Sequence, residues 1–173
     1  MSEPELSPIT YADFVNDVIA LADALDRDGW RPEYIVGIGR GGLVPGAYLS
    51  HRTGIALLSV DHSSGVPDFA EDLLAKLAAA TRDGRQILLV DDMNDSGLTI
   101  DTLRGVFVSQ GGILSNLRVA VLIENIRSSA RVEYRARTID RADDKRWFVF
   151  PWEAMAERAT LLEEAGEVPE RLA

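Results

Sequence analysis

Residues 87–99 have the sequence Ile-Leu-Leu-Val-Asp-Asp-Met-Asn-Asp-Ser-Gly-Leu-Thr. The first four residues are apolar and predict a buried strand, and a helical pattern follows from Ile100 to Gln110. The acids and hydroxyls between them therefore form a polar loop that joins a strand to a helix. Open α/β sheets bind their ligands at loops of this kind.

The residue types in this loop suit a phosphorylated sugar. A helix N-terminus has unpaired N–H groups and carries roughly half a positive charge, so it attracts phosphate. Ser96 and Thr99 add hydroxyl donors, and Gly97 lets the backbone approach a ligand closely. Just before them, Asp91 and Asp92 offer only acceptors, which suit sugar hydroxyls or a hard cation such as Mg²⁺.

Residues 90–99 resemble the phosphoribosyl diphosphate (PRPP) signature of type I phosphoribosyltransferases. That signature consists of apolar residues, two acids, two variable residues, Asp, Thr or Ser, Gly, any residue and Thr. By this resemblance Asp95 is the catalytic residue, which accepts or relays the proton of the incoming base. The residues that would bind the ribose and its 5-phosphate are Asp91, Asp92, Asp95, Ser96, Gly97, Leu98 and Thr99. The alternative is an acidic turn between a strand and a helix that is capped by Asp95 or Ser96.

A second glycine-rich segment follows the strand predicted at Tyr34–Ile38. Residues 37–42 fit the pattern G-x-G-x-x-G, and Asp61 follows about twenty residues later, so a dinucleotide-binding site is one interpretation. The other depends on Arg40, whose guanidinium can clamp an oxyanion while glycine amides reach it from the side. Residues 38–47 resemble the pyrophosphate loop of the xanthine-guanine and hypoxanthine phosphoribosyltransferases. The resemblance assigns Arg40, Gly41 and Gly42 to pyrophosphate.

The aromatic segment 147–153 resembles the Trp-x-x-x-Pro-Trp-Glu/Asp ending of the same purine branch. The resemblance implies that Trp147 stacks on the base and that Phe148 offers backbone groups to its edge. The alternative is that Trp147, Phe150 and Trp152 are ordinary packing residues. Glu124 lies at or next to a position where relatives often have a lysine that donates to the purine 6-oxo group. An ionised glutamate only accepts hydrogen bonds, so Glu124 would favour an amino group on the base.

The resemblance also implies Mg²⁺ as the cofactor, held by Asp91, Asp92 and Glu153.

Composition limits the possible partners. The chain has 173 residues, 46% of them hydrophobic, which is enough for one domain with a good core. A net charge of -10 opposes binding to nucleic acid and to anionic membranes, and the absence of cysteine excludes disulfides and thiolate chemistry. Neither a long apolar run nor a basic leader is present, so we expect no membrane span and a cytoplasmic protein.

The pattern along the chain predicts an α/β fold. We expect a doubly wound, mostly parallel sheet of four or five strands with helices on both faces, as in the type I phosphoribosyltransferase fold. A small hood, formed by the N-terminal helix and the C-terminal aromatic segment, should cover the strand ends. Residues 1–9 and 167–173 are expected to be loose tails around a single domain at 10–166. The predicted helices are Tyr11–Asp28, Leu43–His51, Phe69–Arg82, Ile100–Gln110 and Ala154–Gly166, and the strands after Tyr34–Ile38 are Ile55–Val60, Ile87–Val90, Leu117–Ile123 and Val132–Ile139.

The function that these residues predict is transfer of 5-phosphoribosyl from PRPP to a nucleobase, most simply a purine in a salvage reaction, with release of pyrophosphate. Members of this family commonly form dimers or tetramers, so a homo-oligomer is expected. The family places a mobile flap at the segment that corresponds to Asp61–Asp68, which is short here. Two alternatives use the same residues: a non-catalytic regulator that senses PRPP, and a receiver domain that accepts phosphate on clustered aspartates.

Overall fold

A computed structural model describes residues 4–60 and 67–166 of the chain. The strands are β1 (Leu6–Pro8), β2 (Tyr34–Ile38), β3 (Ala56–Val60), β4 (Ile87–Asn94), β5 (Leu117–Asn125), β6 (Tyr134–Ile139) and β7 (Trp147–Val149). The helices are α1 (Tyr11–Asp28), α2 (Gly39–Thr53), α3 (Pro67–Arg82), α4 (Leu98–Ser109) and α5 (Arg158–Gly166). The candidate dinucleotide acid Asp61, most of the flap segment and the tail at 167–173 lie outside the described residues.

Five strands form one parallel sheet in the order β3-β2-β4-β5-β6. The chain moves outward from β2 to β3, and then returns to the other side of β2 and continues through β4, β5 and β6. The strand order therefore reverses between β2 and β4, and a crevice opens beyond the carboxyl ends of these two strands. The predicted doubly wound parallel sheet is confirmed.

Helices cover both faces of the sheet because its central strands are apolar on both sides. In β4, Leu88 and Val90 face α1 and α2, whereas Ile87 and Leu89 face α3 and α4. All four side chains are at most 1% exposed. None of the helices in residues 4–60 and 67–166 combines the length and hydropathy that a membrane-spanning segment requires.

The first helix has the predicted ends. The Thr10 hydroxyl accepts a hydrogen bond from the Asp13 amide at 3.1 Å, and Gly29 closes the helix with a φ of 71°. The apolar stripe of α1 packs on the face of the sheet. This position differs from the prediction that α1 forms part of a hood over the strand ends. The burial of this stripe explains why α1 lies against the sheet. Five apolar residues of the stripe are nearly fully buried: Phe14, Val18, Leu21, Ala22 and Leu25.

The ends of the domain correct two other predictions. Leu6–Pro8 was expected to be loose, but it forms a separate parallel pair with Trp147–Val149. Backbone hydrogen bonds continue the pair on both sides, from Trp147 to Glu5 and from Ile9 to Val149, each 2.8 Å long. The helix predicted at Ala154–Gly166 is divided, because 151–155 is a 3₁₀ turn and Ala156 is extended with a ψ of 140°.

The connection from β5 to β6, residues 126–133, has no helix in it. Parallel strands usually need a crossover of a dozen or more residues, most often helical. Here the short connection passes over the carboxyl ends of β4 and β5 and contacts the loop that follows β4. It therefore belongs to the surroundings of the predicted site.

Candidate active site

The first turn of α2, which contains the glycine-rich segment 39–42, lies directly against the end of β4. The helix begins at Gly39, four residues before the predicted start at Leu43. A Cβ built on Gly42 would overlap with the carbonyl oxygen of Val90, and one on Gly41 would lie 2.5 Å from Oδ2 of Asp92. Gly39 starts α2 with a φ of 54°, a conformation that other residues rarely adopt. These glycines are therefore needed for close packing between the two strand ends, and this packing places Arg40 next to the paired acids.

A cavity of about 680 Å³ opens at this point. The residues that line it come from four parts of the chain: the end of β2 with the first turns of α2, the end of β4, the first turn of α4, and the C-terminal segment. Among them are Arg40, Gly41, Asp91, Asp92, Thr99, Glu153 and Glu164. Asp91 and Asp92 lie within β4, which extends four residues beyond the predicted strand Ile87–Val90. Two predicted groups of residues, the pyrophosphate loop and the paired ribose acids, thus share one cavity at the point where the strand order reverses.

The acids of this cavity are destabilised as anions. Burial, with repulsion from Asp92 added, raises the pKa of Asp91 well above its ordinary value. Burial and repulsion from Glu153 raise the pKa of Asp92 to about 7. Burial likewise raises the pKa of Glu153, although its carboxylate accepts a 2.7 Å hydrogen bond from the Phe150 amide and lies near Arg40. The cavity therefore favours a ligand or cation that offsets negative charge.

These acids fit a divalent cation that arrives with its substrate. Mg²⁺ usually takes one or two carboxylates, and phosphate oxygens and water complete its coordination. Asp91 and Asp92 provide adjacent carboxylates, and Glu153 lines the same cavity. Within 4–60 and 67–166 no group of three or more acids or histidines could hold a metal by itself. The adjacent carboxylates of Asp91 and Asp92 are of the kind that Mg²⁺ takes together with phosphate oxygens and water.

The loop after β4, residues 95–97, leads into the N-terminus of α4. Gly97 precedes α4 with a φ of 94°, and the Ser96 hydroxyl accepts a hydrogen bond from the Leu98 amide at 3.1 Å. Thr99 lines the cavity, whereas Asp95, Ser96, Gly97 and Leu98 are not among its lining residues. The first turn of α4 therefore faces the cavity through Thr99, and the residues before it form its support.

The connection 126–133 braces this loop. Ser129 donates from its amide and its hydroxyl to the Ser96 carbonyl, at 3.0 and 2.9 Å. Asn94 is 2% exposed; it donates to the Ala130 carbonyl at 2.8 Å and accepts from the Ser128 hydroxyl at 2.8 Å. Sequence reasoning missed these residues because they lie in a segment without periodicity. The signal available was the cluster Arg-Ser-Ser at 127–129, whose small hydroxyl residues suit contact with backbone groups.

Asp95, the predicted catalytic acid, is held by an arginine that the sequence analysis did not identify. Arg141 is 1% exposed, and its guanidinium reaches both carboxylate oxygens of Asp95 at 2.7–3.1 Å. The Asn125 side chain donates to the Asp95 carbonyl at 3.0 Å. Arg141 lies in the charged segment 140–146, which gives no sequence sign that one of its arginines is buried.

The predicted base-binding residues are not brought together in one cavity. Phe148 lines a second cavity of about 390 Å³ with Ile123, Arg137, Thr138 and Arg146, whereas Trp147 and Glu124 line neither cavity. The Glu124 carboxylate forms a 2.8 Å ion pair with Arg135. The Trp147 indole Nε1 is buried and has no hydrogen-bond partner among the residues that the structure describes. The role of Glu124 in base recognition stays a prediction.

Comparison with solved structures confirms the fold. A purine phosphoribosyltransferase from Pyrococcus horikoshii has 22% sequence identity and a TM-score of 0.64, over 88% of this chain and 97% of that one. The xanthine-guanine-hypoxanthine phosphoribosyltransferase of Helicobacter pylori has 19% identity and a TM-score of 0.64, over 87% and 95%. A hypothetical protein from Neisseria gonorrhoeae with bound ppGpp has 20% identity and a TM-score of 0.66, over the whole of both chains.

A family match covers most of the chain. Residues 10–157 match the phosphoribosyl transferase domain, and the match contains both glycine-rich segments and the paired acids. The prediction of a type I phosphoribosyltransferase is thus confirmed at the level of the family. The chain belongs to the phosphoribosyl transferase domain family.

Proposed function

We propose that the protein transfers 5-phosphoribosyl from PRPP to a nitrogen of a purine and releases pyrophosphate. The observation that carries this proposal is the shared cavity, which Arg40 and Gly41 line together with Asp91, Asp92 and Thr99. A sugar that carries a phosphate at one end and a diphosphate at the other needs recognition groups at both ends of one cavity. Arg40 and its neighbouring glycines suit the diphosphate, and Thr99 in the first turn of α4 suits the phosphate.

Each residue has a separate task in this reaction. Asp91 and Asp92 accept hydrogen bonds from the ribose hydroxyls, and the first turn of α4 receives the 5-phosphate. Arg40 and the neighbouring glycine amides receive the diphosphate as it leaves. Positive charge develops at the anomeric carbon during this step, so the nearby carboxylates stabilise the transition state by charge and position. Asp95 accepts a hydrogen bond from the attacking base.

Magnesium is expected as the cofactor that binds with PRPP. Asp91 and Asp92 would hold it together with substrate oxygens, and Glu153 faces the same cavity. When bound, the ion neutralises the diphosphate and makes it a better leaving group. The raised pKa values of these acids are consistent with a site that is completed by a cation.

Two features support a purine as the acceptor. The segment 147–153 has the aromatic ending of the purine branch, and two similar structures are described as enzymes that act on purines. Phe148 lines a cavity beside the carboxyl ends of β5 and β6, where a planar ring would have aromatic and polar contacts. A homo-oligomer and a cytoplasmic location stay predictions.

The direct test is pyrophosphate release with PRPP, Mg²⁺ and a panel of purines and pyrimidines. We expect release with at least one purine, and loss of release when Mg²⁺ is chelated. The Asp95→Asn variant serves as the catalytic control, since it keeps the residues that line the PRPP cavity. If the wild-type protein binds PRPP and releases no pyrophosphate with any base, the transferase proposal is wrong.

The second candidate is a regulator that binds PRPP or a phosphorylated purine nucleotide without chemistry. It is favoured by the enclosure of Asp95, which is absent from the residues that line the cavity, and by the ppGpp bound to the similar Neisseria protein. Calorimetry with PRPP and with ppGpp separates the candidates. Nucleotide binding in the absence of any turnover would favour the regulator.

A further inference from the structure

Arg141 is a buried cation whose whole donor set is engaged. Among the residues that the structure describes, Arg141 has the largest fully buried side chain. Burial of a charge without a partner would be strongly unfavourable. Its Nε donates to both carboxylate oxygens of Asp95, at 3.0 and 3.1 Å, and its Nη2 donates to Oδ2 at 2.7 Å. The Asp95 side chain is 15% exposed, so this ion pair is largely shielded from water.

The other end of the guanidinium holds the backbone before β7. Nη1 donates to the carbonyls of Asp144 and Arg146, at 3.1 and 2.7 Å. The guanidinium carbon also lies 5.6 Å from the centre of the Phe148 ring. One side chain thus connects the predicted catalytic acid to the segment that leads into the predicted base-binding residues.

Asn125 supports both partners. Its Nδ2 donates to the Asp95 carbonyl at 3.0 Å, and its Oδ1 accepts from the Arg141 amide at 3.2 Å. Asn125 is 1% exposed at the end of β5. The position of Arg141 relative to Asp95 is therefore fixed through the backbone as well as through the ion pair.

We propose that Arg141 is a positioning residue for the base half of the reaction, an inference that rests on the proposed transferase function. Because its donors reach both carboxylate oxygens, the guanidinium fixes the orientation of the Asp95 carboxylate. Oδ2 accepts two hydrogen bonds from Arg141, whereas Oδ1 accepts one at 3.0 Å and a long one of 3.5 Å from Asn125, so Oδ1 is the oxygen left to accept an N–H from the base. Arg141 itself is enclosed and does not touch substrate.

This role separates base recognition from sugar-phosphate recognition. Arg141 is not among the residues that line the cavity with Arg40, Asp91 and Asp92. Its loss should therefore affect the acceptor base and leave PRPP binding nearly unchanged. A residue that only stabilised the fold would weaken both in parallel.

The test uses Arg141→Met and Arg141→Lys in the full-length protein. For Arg141→Met we expect kcat/KM for the base to fall at least about 100-fold, the size of a lost general-base contribution, while PRPP affinity by calorimetry changes less than about 3-fold. Lysine keeps a cation beside Asp95 but cannot reach both backbone carbonyls at the same time. It should recover part of kcat and leave the base KM raised.

Arg118→Met is the matched control. Arg118 is a partly buried arginine that is likewise paired with an aspartate, Asp28, and its guanidinium carbon lies 4.7 Å from the centre of the Trp30 ring. It lies at the start of β5, at the opposite end of the sheet from Arg141. Its substitution should lower the melting temperature and leave the base KM, kcat and PRPP affinity unchanged.

Unchanged base kinetics in Arg141→Met and Arg141→Lys, or a parallel loss of PRPP and base binding, would overturn the proposal. If Arg141→Met does not fold, Arg141→Lys and the double variant of Arg141→Lys with Asp95→Asn test the proposal instead. Residues that act together give non-additive losses of kcat/KM when both are changed. If the wild-type protein has no turnover, the transferase function itself fails. The positioning role is then judged by binding: Arg141→Met must weaken a nucleoside 5′-monophosphate and spare ribose 5-phosphate, and equal effects or no wild-type binding would overturn it.

Discussion

Gly42 and Val90 are in such close contact that no side chain fits between them. A methyl group on Gly42 would overlap with the Val90 carbonyl oxygen, and the same contact sets the distance between Arg40 and the paired acids. Gly42→Ala should therefore cost about 1–3 kcal/mol in the free energy of unfolding, the usual range for overpacking. Urea titration measures this loss.

Gly105→Ala is the control for this substitution. Gly105 lies inside α4, and a Cβ built on it has no atom within 4 Å. Alanine should stabilise the helix there by about 1 kcal/mol. If Gly42→Ala were as stable as Gly105→Ala, that result would contradict the close contact between Gly42 and Val90.

Arg40→Ala should weaken binding of pyrophosphate and PRPP by about 10- to 100-fold, because a charge-assisted hydrogen bond contributes about 1.5–3 kcal/mol. Calorimetry with Mg²⁺ present provides the measurement. Arg52→Ala removes an arginine from the last turn of the same helix, where it faces Asp23 at 3.8 Å. That variant should bind both ligands as the wild type does, and equal weakening in the two variants would contradict a specific role for Arg40.

Asp92→Asn should change how stability depends on pH. The pKa of Asp92 is raised to about 7 in the folded protein, so between about pH 4 and pH 7 the folded state binds more protons than the unfolded state. Stability contributed by this group is therefore lost as the pH rises through that window. The neutral amide should make the metal-free protein more stable at pH 7.5 by at least about 1.4 kcal/mol, the free energy of one pKa unit.

Urea unfolding at pH 5 and pH 8, with a chelator present, checks this expectation. The stability of Asp92→Asn should fall less between the two pH values than that of the wild type. Asp23→Asn removes an acid that is half exposed and distant from the cavity, and it should keep the wild-type slope. Identical slopes in all three proteins would show that Asp92 is not destabilised by its surroundings.

Asp95→Asn should lower kcat at least about 100-fold, since a positioned base contributes about that much, and should change PRPP affinity by less than about 3-fold. It also weakens the ion pair with buried Arg141, so about 3 kcal/mol of stability should be lost. Stopped assays below the melting temperature separate the two effects.

Asp28→Asn is the matched variant for that experiment. Asp28 pairs with Arg118 and accepts a 2.7 Å hydrogen bond from Tyr134, and both contacts lower its pKa. Its loss should reduce stability without an effect on kcat. If Asp95→Asn lost PRPP affinity and kcat equally, Asp95 would be a structural residue of the loop.

The sequence was sufficient where a periodic pattern met a clear end signal. Tyr11–Asp28 was predicted with its ends, because Thr10 and Gly29 mark the two caps and the apolar stripe fills one face. The sheet and its crevice followed from apolar runs that end in glycines or acids. Arg40 and the paired acids could be placed near each other because parallel strands end at the same edge.

The sequence was insufficient where tertiary contacts override local pattern. Leu6–Pro8 is too short to show alternation, and it becomes a strand only because Trp147–Val149 offers an edge. Arg141 lies among six other residues of the segment 140–146, five of which are charged, and nothing local marks it as the buried one. Its burial depends on Asp95, which lies 46 residues earlier in the chain.

The helix-free connection between β5 and β6 makes the conformations of two distant segments of the sequence depend on each other. Because Ser129 and Ala130 contact Ser96 and Asn94, the loop after β4 cannot change length or composition without a matching change some 30 residues downstream. A chimera that takes 94–101 from a relative would need that relative's 125–130 as well. Grafts made in one segment alone should fold with a misshapen loop, whereas paired grafts should exchange ligand preference as a unit.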